Sequence, residues 1–399
     1  MIISILGTAG AKFDPETCLP KKDKKDNILY TNAQYDCSMF NKGKNFYKNS
    51  THFLLKNFDE KFVFIGTKCA ILFQKEILSD NLKNKNIEYR EIEDNSLDDI
   101  FEDIFNLLEY QENIILDITH GFRHQPIMAI FASTLSQFLD RKNLKIIFAK
   151  EIEKYKKYEY ISLNEYIEIT QISLLLTGFI RTLNFIPVKN LKLLNGQIFE
   201  DFSESLLSND LKGIEKNYKL LDDELWRLKN KEPLKHLSNL IDKIDKELNS
   251  LRSFEHLNTY IKYFLLSKLT IEKNYLIVSL TYIFESLREY CSVCFKHLTK
   301  DIRFKNSYDE NTMVMDTIGD LKRHGKSNRL QKKYPNIHKN NKIQFNKVYS
   351  VYNEVRKIRN DLAHINQEKS FSDITKQIKN IIFKIEIIYA DNALKNIKL

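Results

Sequence analysis

Proline and glycine almost vanish from the second half of this 399-residue chain: beyond residue 200 only Pro233 and Pro335 interrupt it, and glycine is rare. Long helices are therefore free to form there. No apolar run approaches the roughly 18–20 residues needed to span a bilayer, which excludes a membrane-spanning helix. The opening Met1-Ile2-Ile3-Ser4-Ile5-Leu6 lacks a basic leader and runs into Gly7-Thr8-Ala9-Gly10, so it reads as a first strand and not a signal peptide. The five cysteines are odd in number and scattered, which speaks against a disulfide framework and for a reducing cytoplasm. No GxxxxGK[ST] is present and no GxGxxG follows the first strand, which counts against a nucleoside triphosphatase. Internal repeats are absent.

What is present divides the chain by character. Apolar strand patterns at Ile2–Leu6, 61–65, 113–116 and 145–149, with another at 158–163, alternate with helical patterns near 68–82, 97–109 and 126–140. That rhythm predicts a parallel sheet with helices on both faces. Residues 12–50 are Lys/Asn-rich and read as a long excursion with a hairpin near Tyr30 and Tyr35. A helical pattern follows over 169–185. From about residue 200 the spacing becomes helical throughout, predicting helices at 201–225, 232–249, 254–269, 275–298, 342–363 and 371–394, with a polar loop at 301–341. At 399 residues two domains are expected, and the boundaries fall at 1–165, 166–200 and 201–399.

Chemistry concentrates in Asp117-Ile118-Thr119-His120-Gly121-Phe122-Arg123-His124-Gln125, between an apolar strand and a helix. A strand ending in a polar, glycine-containing turn is where α/β folds bind ligands. Gly7-Thr8-Ala9-Gly10 and Gly66-Thr67-Lys68 close two other strands and should share that edge. Their glycines, hydroxyls and helix N-termini suit phosphate.

The net charge of +9 is unevenly spread: residues 321–360 carry twelve Lys and Arg against the single acid Glu354. This cluster suits a polyanion such as nucleic acid, or forms a solvated lysine-rich loop. Near it, Arg356-Lys357-Ile358-Arg359-Asn360-Asp361-Leu362-Ala363-His364 ends a helix. Asn360 and His364 share a face, while Arg359 and His364 diverge by roughly 140°. A histidine and an arginine on one groove can cleave RNA without metal, the imidazole moving protons and the guanidinium stabilising the phosphorane. A histidine there can equally be a favourable partner for the helix dipole.

Arg359 to His364 resembles the RxxxxH motif of HEPN ribonucleases, including the Asn after its Arg, and Asp117–Arg123 resembles the ligand turn of CARF domains. Together, and in this order, they resemble the accessory ribonucleases of type III CRISPR systems along essentially the whole chain. The resemblance implies an α/β, Rossmann-like parallel-sheet CARF domain followed by an all-α HEPN domain. It implies a cytoplasmic homodimer, with no stable association with the CRISPR effector complex. Its activator would be a cyclic tetra- or hexa-adenylate, its substrate single-stranded RNA, its product a 2′,3′-cyclic phosphate, and it would need no metal or other cofactor. Arg359 would stabilise charge, His364 act as acid and base, and Asn360 orient. The activator would meet Gly7, Thr8, Ala9, Gly10, Gly66, Thr67, Lys68, Asp117, Thr119, His120, Gly121, Phe122, Arg123 and Gln125. A secondary activity that degrades the activator in the same turn is also implied. Two alternatives stand beside this reading: a regulator whose helical domain binds nucleic acid without cutting it, and a nucleotide-hydrolysing α/β enzyme with a dimerising helical half.

Three further features carry weaker expectations. Cys291 and Cys294 read as core cysteines and not as half a zinc site. Trp226, like the many Tyr and Phe at helical spacing, reads as core. Glu285 and Arg288 read as a surface ion pair, or as residues facing the groove.

Overall fold

A computed structural model gives the fold and describes residues 1–399 except 94–96, 111–112, 139–142, 187, 189–190 and 365–369. Two compact units emerge: Met1–Leu174 with Val188–Leu194, and Leu175–Pro187 with Asn195–Leu399.

The first unit contains β1 (Ile2–Ile5), β2 (Phe13–Asp14), β3 (Leu19–Pro20), β4 (Ala33–Asp36), β5 (Lys44–Tyr47), α1 (Ser50–Asn57), β6 (Phe62–Gly66), α2 (Lys68–Ile77) and α3 (Ser79–Leu82). It continues through β7 (Ile87–Glu91), α4 (Asp98–Tyr110), β8 (Asn113–Asp117), α5 (His124–Phe138), β9 (Asn143–Glu153) and β10 (Lys157–Ser162). Helix α6 (Asn164–Thr182) leads out of it. Eight strands form one sheet in the order β5-β4-β10-β9-β8-β1-β6-β7. The five strands from β9 to β7 are parallel, as the alternating pattern predicts, whereas β10 runs antiparallel to β9 and β5 antiparallel to β4.

Strict alternation sorts the central strands between two cores. Ile2, Phe62 and Phe64 face Phe53, Phe73 and Ile77; Ile3, Val63 and Ile65 face Ile100, Ile104 and Ala129. The hairpin expected near Tyr30 and Tyr35 is β4–β5, which extends the sheet edge, with Tyr35 inside it and Tyr30 in a bridge to Ala11. Strand β7 went unpredicted because it is an edge strand: Ile-Glu-Tyr-Arg-Glu is only partly buried, and Glu88 and Arg90 pair with Lys61 and Asp103.

The scattered cysteines, which speak against a disulfide framework, nonetheless include one bonded pair, Cys18–Cys69. Packing of β3 on α2 brings these two cysteines to a Cα–Cα distance of 4.9 Å across 51 positions, a separation with no local signature.

The second unit is helical: α7 (Gly196–Leu207), α8 (Leu211–Asn230), α9 (Ser238–Leu248), α10 (Thr259–Glu272), α11 (Leu276–Thr299), α12 (Ser307–Ile318), α13 (Arg329–Lys333), α14 (Ile337–Asn340), α15 (Lys342–Ala363) and α16 (Phe371–Ala390). Leu280, Ile283 and Leu287 of α11 pack with Val348, Val351 and Val355 of α15 and Ile378, Ile381 and Ile385 of α16. The single helix expected at 201–225 is broken at Ser208–Asp210, where Asn209 turns left-handed. The polar loop expected at 301–341 instead contains α12–α14. Asn306 caps α12, a capping box of Asn328 and Gln331 starts α13, and Val314, Ile318, Leu330 and Ile337 are buried. Among the described residues, no helix is long and apolar enough to cross a membrane.

Candidate functional site

In the first unit, the C-terminal ends of the adjacent strands β8, β1 and β6 carry the three glycine-containing turns. The turns after β1 and β8 close on one another: a Cβ at Gly7 would lie 3.0 Å from the Gly121 nitrogen and 3.1 Å from the His120 Cβ. Gly121 is left-handed (φ +99°), and a Cβ there would meet Ile5 at 2.5 Å, so both conformation and packing demand glycine.

Asp117 is fully buried and holds this turn from inside. Its carboxylate accepts from Ser4 Oγ at 3.0 Å, Ser50 Oγ at 2.5 Å, Thr119 N at 3.0 Å and Thr119 Oγ1 at 2.5 Å. The Thr119 hydroxyl in turn accepts from the Ala149 amide at 2.9 Å, tying the turn to β9. Gln125 Oε1 accepts from Phe122 N at 3.0 Å, while its Nε2 has no partner among the described residues. His120 Nε2 accepts from Ser50 N at 3.4 Å; burial pushes this imidazole toward its neutral form, against the Asp117 charge. The β1 turn is held by two residues that local pattern did not signal. Gln74 Nε2 donates to Gly7 O at 2.5 Å and Ala9 O at 3.0 Å, and Asn49 Nδ2 donates to Ala9 O at 2.7 Å.

A cavity of about 490 Å³ opens beside these turns. Thr8, Ala9, Gly10, Thr119 and His120 form one wall, and Lys48, Tyr35, Tyr155, Tyr158 and Glu151 help form the rest. The Tyr158 hydroxyl donates to Glu151 at 3.2 Å, and burial raises its pKa to about 12. The cavity thus offers hydroxyls, a lysine, a neutral histidine and aromatic rings, a set suited to a ligand combining phosphate and base.

In the second unit α15 ends at Ala363, and the His364 amide caps it by donating to Asn360 O at 3.0 Å. Asn360 and His364 are exposed. Arg359 is half-buried, its guanidinium 5.1 Å from the Phe284 ring centre on α11. Among the described residues no hydrogen bond joins Arg359 to His364. Arg288 corrects the expectation of a surface pair: it is 4% exposed and bonds Glu285 at 3.2 Å. The basic cluster is partly neutralised by acids beyond its own segment, Arg323 by Asp316, Lys333 by Asp301 and Lys347 by Asp391. Trp226 is also corrected, being 71% exposed on α8 and not in the core. Cys291 is buried in the α11 core, Cys294 lies partly buried beside it, and no metal-holding group of three occurs among the described residues.

Residues 15–161 match the family described as CRISPR system endoribonuclease Csx1, CARF domain. The chain contains a CARF domain. Among solved structures, Enterococcus italicus Csm6 bound to cyclic hexa-2'-fluoro-hexa-dAMP is similar at 13% identity and a TM-score of 0.40, covering 97% of this chain and 92% of that one. No curated protein matches the sequence.

Within the CARF domain the residues singled out from sequence fall into three groups. Thr8, Ala9, Gly10, Thr119 and His120 line the cavity. Lys68, Gly121, Phe122 and Arg123 are exposed, with Phe122 stacked on His124 at 6.1 Å. Asp117, Gln125, Gly66 and Thr67 are interior, and Gly7 is half-buried against the Gly121 turn. Thr67 caps α2 by accepting from Ala70 N at 3.3 Å. Lys48 just after β5, Tyr155 in the β9–β10 turn and Tyr158 in β10 lie far along the chain from the glycine turns, and only the aromatics around β10 gave a local signal for the last two.

Proposed function

We propose that this protein is an endoribonuclease whose CARF domain binds a cyclic oligoadenylate and whose helical unit then cleaves single-stranded RNA without a metal. The observation that carries this reading is the Csx1 CARF match over residues 15–161, which spans the turns and the aromatic wall of the cavity apart from the Gly7–Gly10 turn. A cyclic tetra- or hexa-adenylate would set its phosphates against the Thr8 hydroxyl and the Gly10 backbone, with Lys48, Lys68 and Arg123 as nearby cations. A homodimer is supported by an outward stripe on α5, where Ile127, Phe131 and Leu135 recur every four residues at 51%, 58% and 45% exposure. Such a stripe suits a second copy of the same domain.

In the helical unit, His364 would take the proton of the 2′-hydroxyl and, from the partner copy, return one to the 5′ leaving oxygen. Attack of the 2′-oxygen on phosphorus would then yield a 2′,3′-cyclic phosphate and a 5′-hydroxyl end. Arg359 would hold the extra negative charge of the phosphorane, steadied by the Phe284 ring beneath it. Asn360, on the face shared with His364, would orient the phosphate or the imidazole.

The test is to incubate labelled single-stranded RNA with the protein and each cyclic oligoadenylate, with and without EDTA. Cleavage that requires one ring and survives EDTA is expected. Tight retention of RNA without products would point instead to a nucleic-acid-binding regulator, and loss of products in EDTA would sink the metal-free mechanism.

A further inference from the structure

Arg288 of α11 is only 4% exposed, and its surroundings are not explained by acid–base chemistry. Its guanidinium donates to Glu285, to the Tyr308 carbonyl at 3.3 Å and to Thr312 Oγ1 at 3.4 Å, which offsets the cost of burying a charge. It lies 5.3 Å from the Phe284 ring centre and 4.5 Å from that of Tyr308. Phe284 carries Arg359 at 5.1 Å and stacks with Tyr352 at 5.0 Å, and Tyr352 stacks with Tyr349 at 5.9 Å. Tyr349 fits because residue 319 is glycine: a Cβ there would lie 2.4 Å from ring atoms. Helices α11, α12 and α15 thus build one wall of alternating rings and guanidiniums, with Arg359 along it.

Tyr308 is the outer ring of that wall. It sits in the first turn of α12, 67% exposed, with a buried cation behind it. Arg356 and Arg359, one turn apart on α15, have no ion-pair partner among the described residues and remain available to phosphates. An exposed aromatic face beside unpaired cations is how proteins hold single strands: the cations take the backbone and the ring stacks a base.

We propose that Tyr308 is a stacking platform for an unpaired base of the RNA next to the cleaved phosphodiester. This rests on the ribonuclease reading above and deepens it by naming where the substrate is gripped. Stacking needs the ring but not its hydroxyl, and it acts in the bound ground state as well as during the reaction. Tyr308 is therefore a substrate-binding residue and takes no part in proton transfer.

The test uses the full-length protein saturated with activator, a single-stranded RNA cut at one position, and the same RNA made abasic at each flanking nucleotide. Tyr308→Ala should raise KM ~10-fold while changing kcat by less than ~2-fold, and Tyr308→Phe should behave as wild type. Removing one particular flanking base should weaken the wild-type protein but add no further loss in Tyr308→Ala. A His364→Ala protein carrying the same substitutions gives RNA affinity directly, read by the fluorescence of a 2-aminopurine at that position. Unchanged KM in Tyr308→Ala, or equal base-removal penalties in both proteins, overturns the platform while leaving the ribonuclease reading standing. If no activator elicits RNA binding or cleavage, both fall together.

Discussion

The Asp117 carboxylate and the Ser50 hydroxyl meet at 2.5 Å inside the CARF domain, although 67 residues separate them. One end of the proposed activator turn is thereby fastened to α1, and through Thr119 the same carboxylate reaches β9. The turn's most reactive-looking residue is thus a structural anchor.

Asp117→Ala would leave the Ser4 and Ser50 hydroxyls and the Thr119 amide without their shared acceptor. A loss on the order of 3 kcal/mol is expected, with weakened activator binding as a consequence. Ser50→Ala should cost about 1 kcal/mol. Urea denaturation measures both, and an Asp117→Ala protein as stable as wild type would contradict the anchoring role.

Arg359→Ala and His364→Ala should each lower RNA cleavage by ~100-fold or more, since each removes a group acting only on the transition state. His364 is exposed, and Arg359 is half-buried with its guanidinium over the Phe284 ring and no ion pair among the described residues, so melting temperatures should scarcely move. Activator affinity should persist in both. Cleavage at the wild-type rate by the double variant would remove these residues from the mechanism.

Reducing the Cys18–Cys69 disulfide should destabilise the CARF domain by ~2–4 kcal/mol, because the bond closes a loop of 51 residues in the unfolded chain. The measurement is a thermal melt with and without a thiol reductant, and Cys18→Ser should reproduce the reduced curve and abolish the response. A wild-type melt insensitive to reductant would mean the pair contributes nothing.

Acid should weaken the same domain through His52. This imidazole is 7% exposed and accepts from the Lys48 amide at 3.0 Å, so it serves as a neutral acceptor. Burial, with the Lys56 and Lys48 charges adding to it, lowers its pKa from 6.5 to about 4. Between those values the unfolded chain binds the proton and the folded one does not, so stability rises with pH there. His52's contribution is complete above pH 6.5 and is lost as pH falls toward about 4. Stability curves across this window should flatten in His52→Gln relative to wild type, and parallel curves would exclude the effect.

Much of this was legible from the chain itself. Ile2–Ile5 and 62–66 could be read as strands because both their faces are buried, and the apolar run 114–116 marks the strand between them and β9. The α15 helix was readable from end to end for the opposite reason: one face alone is buried, and Val348, Val351 and Val355 mark it at helical spacing. Edge strand β7 escaped, because it is paired on one side only and carries too few apolar residues to stand out. Trp226 misled because spacing reveals that a helix has a face without revealing which residues lie on it.

Local chemistry fixed the parallel core, the helical second half, the glycine turns and the Arg359–His364 spacing, since each follows from covalent geometry and near-neighbour periodicity. Contacts across dozens or hundreds of residues were beyond it. Only folding turned Asp117 inward to Ser50, brought Lys48 and Tyr158 beside Thr119, joined Cys18 to Cys69 and stacked Arg359 on Phe284. Those pairings depend on how sheet and helices close upon one another, and no neighbouring residue records that.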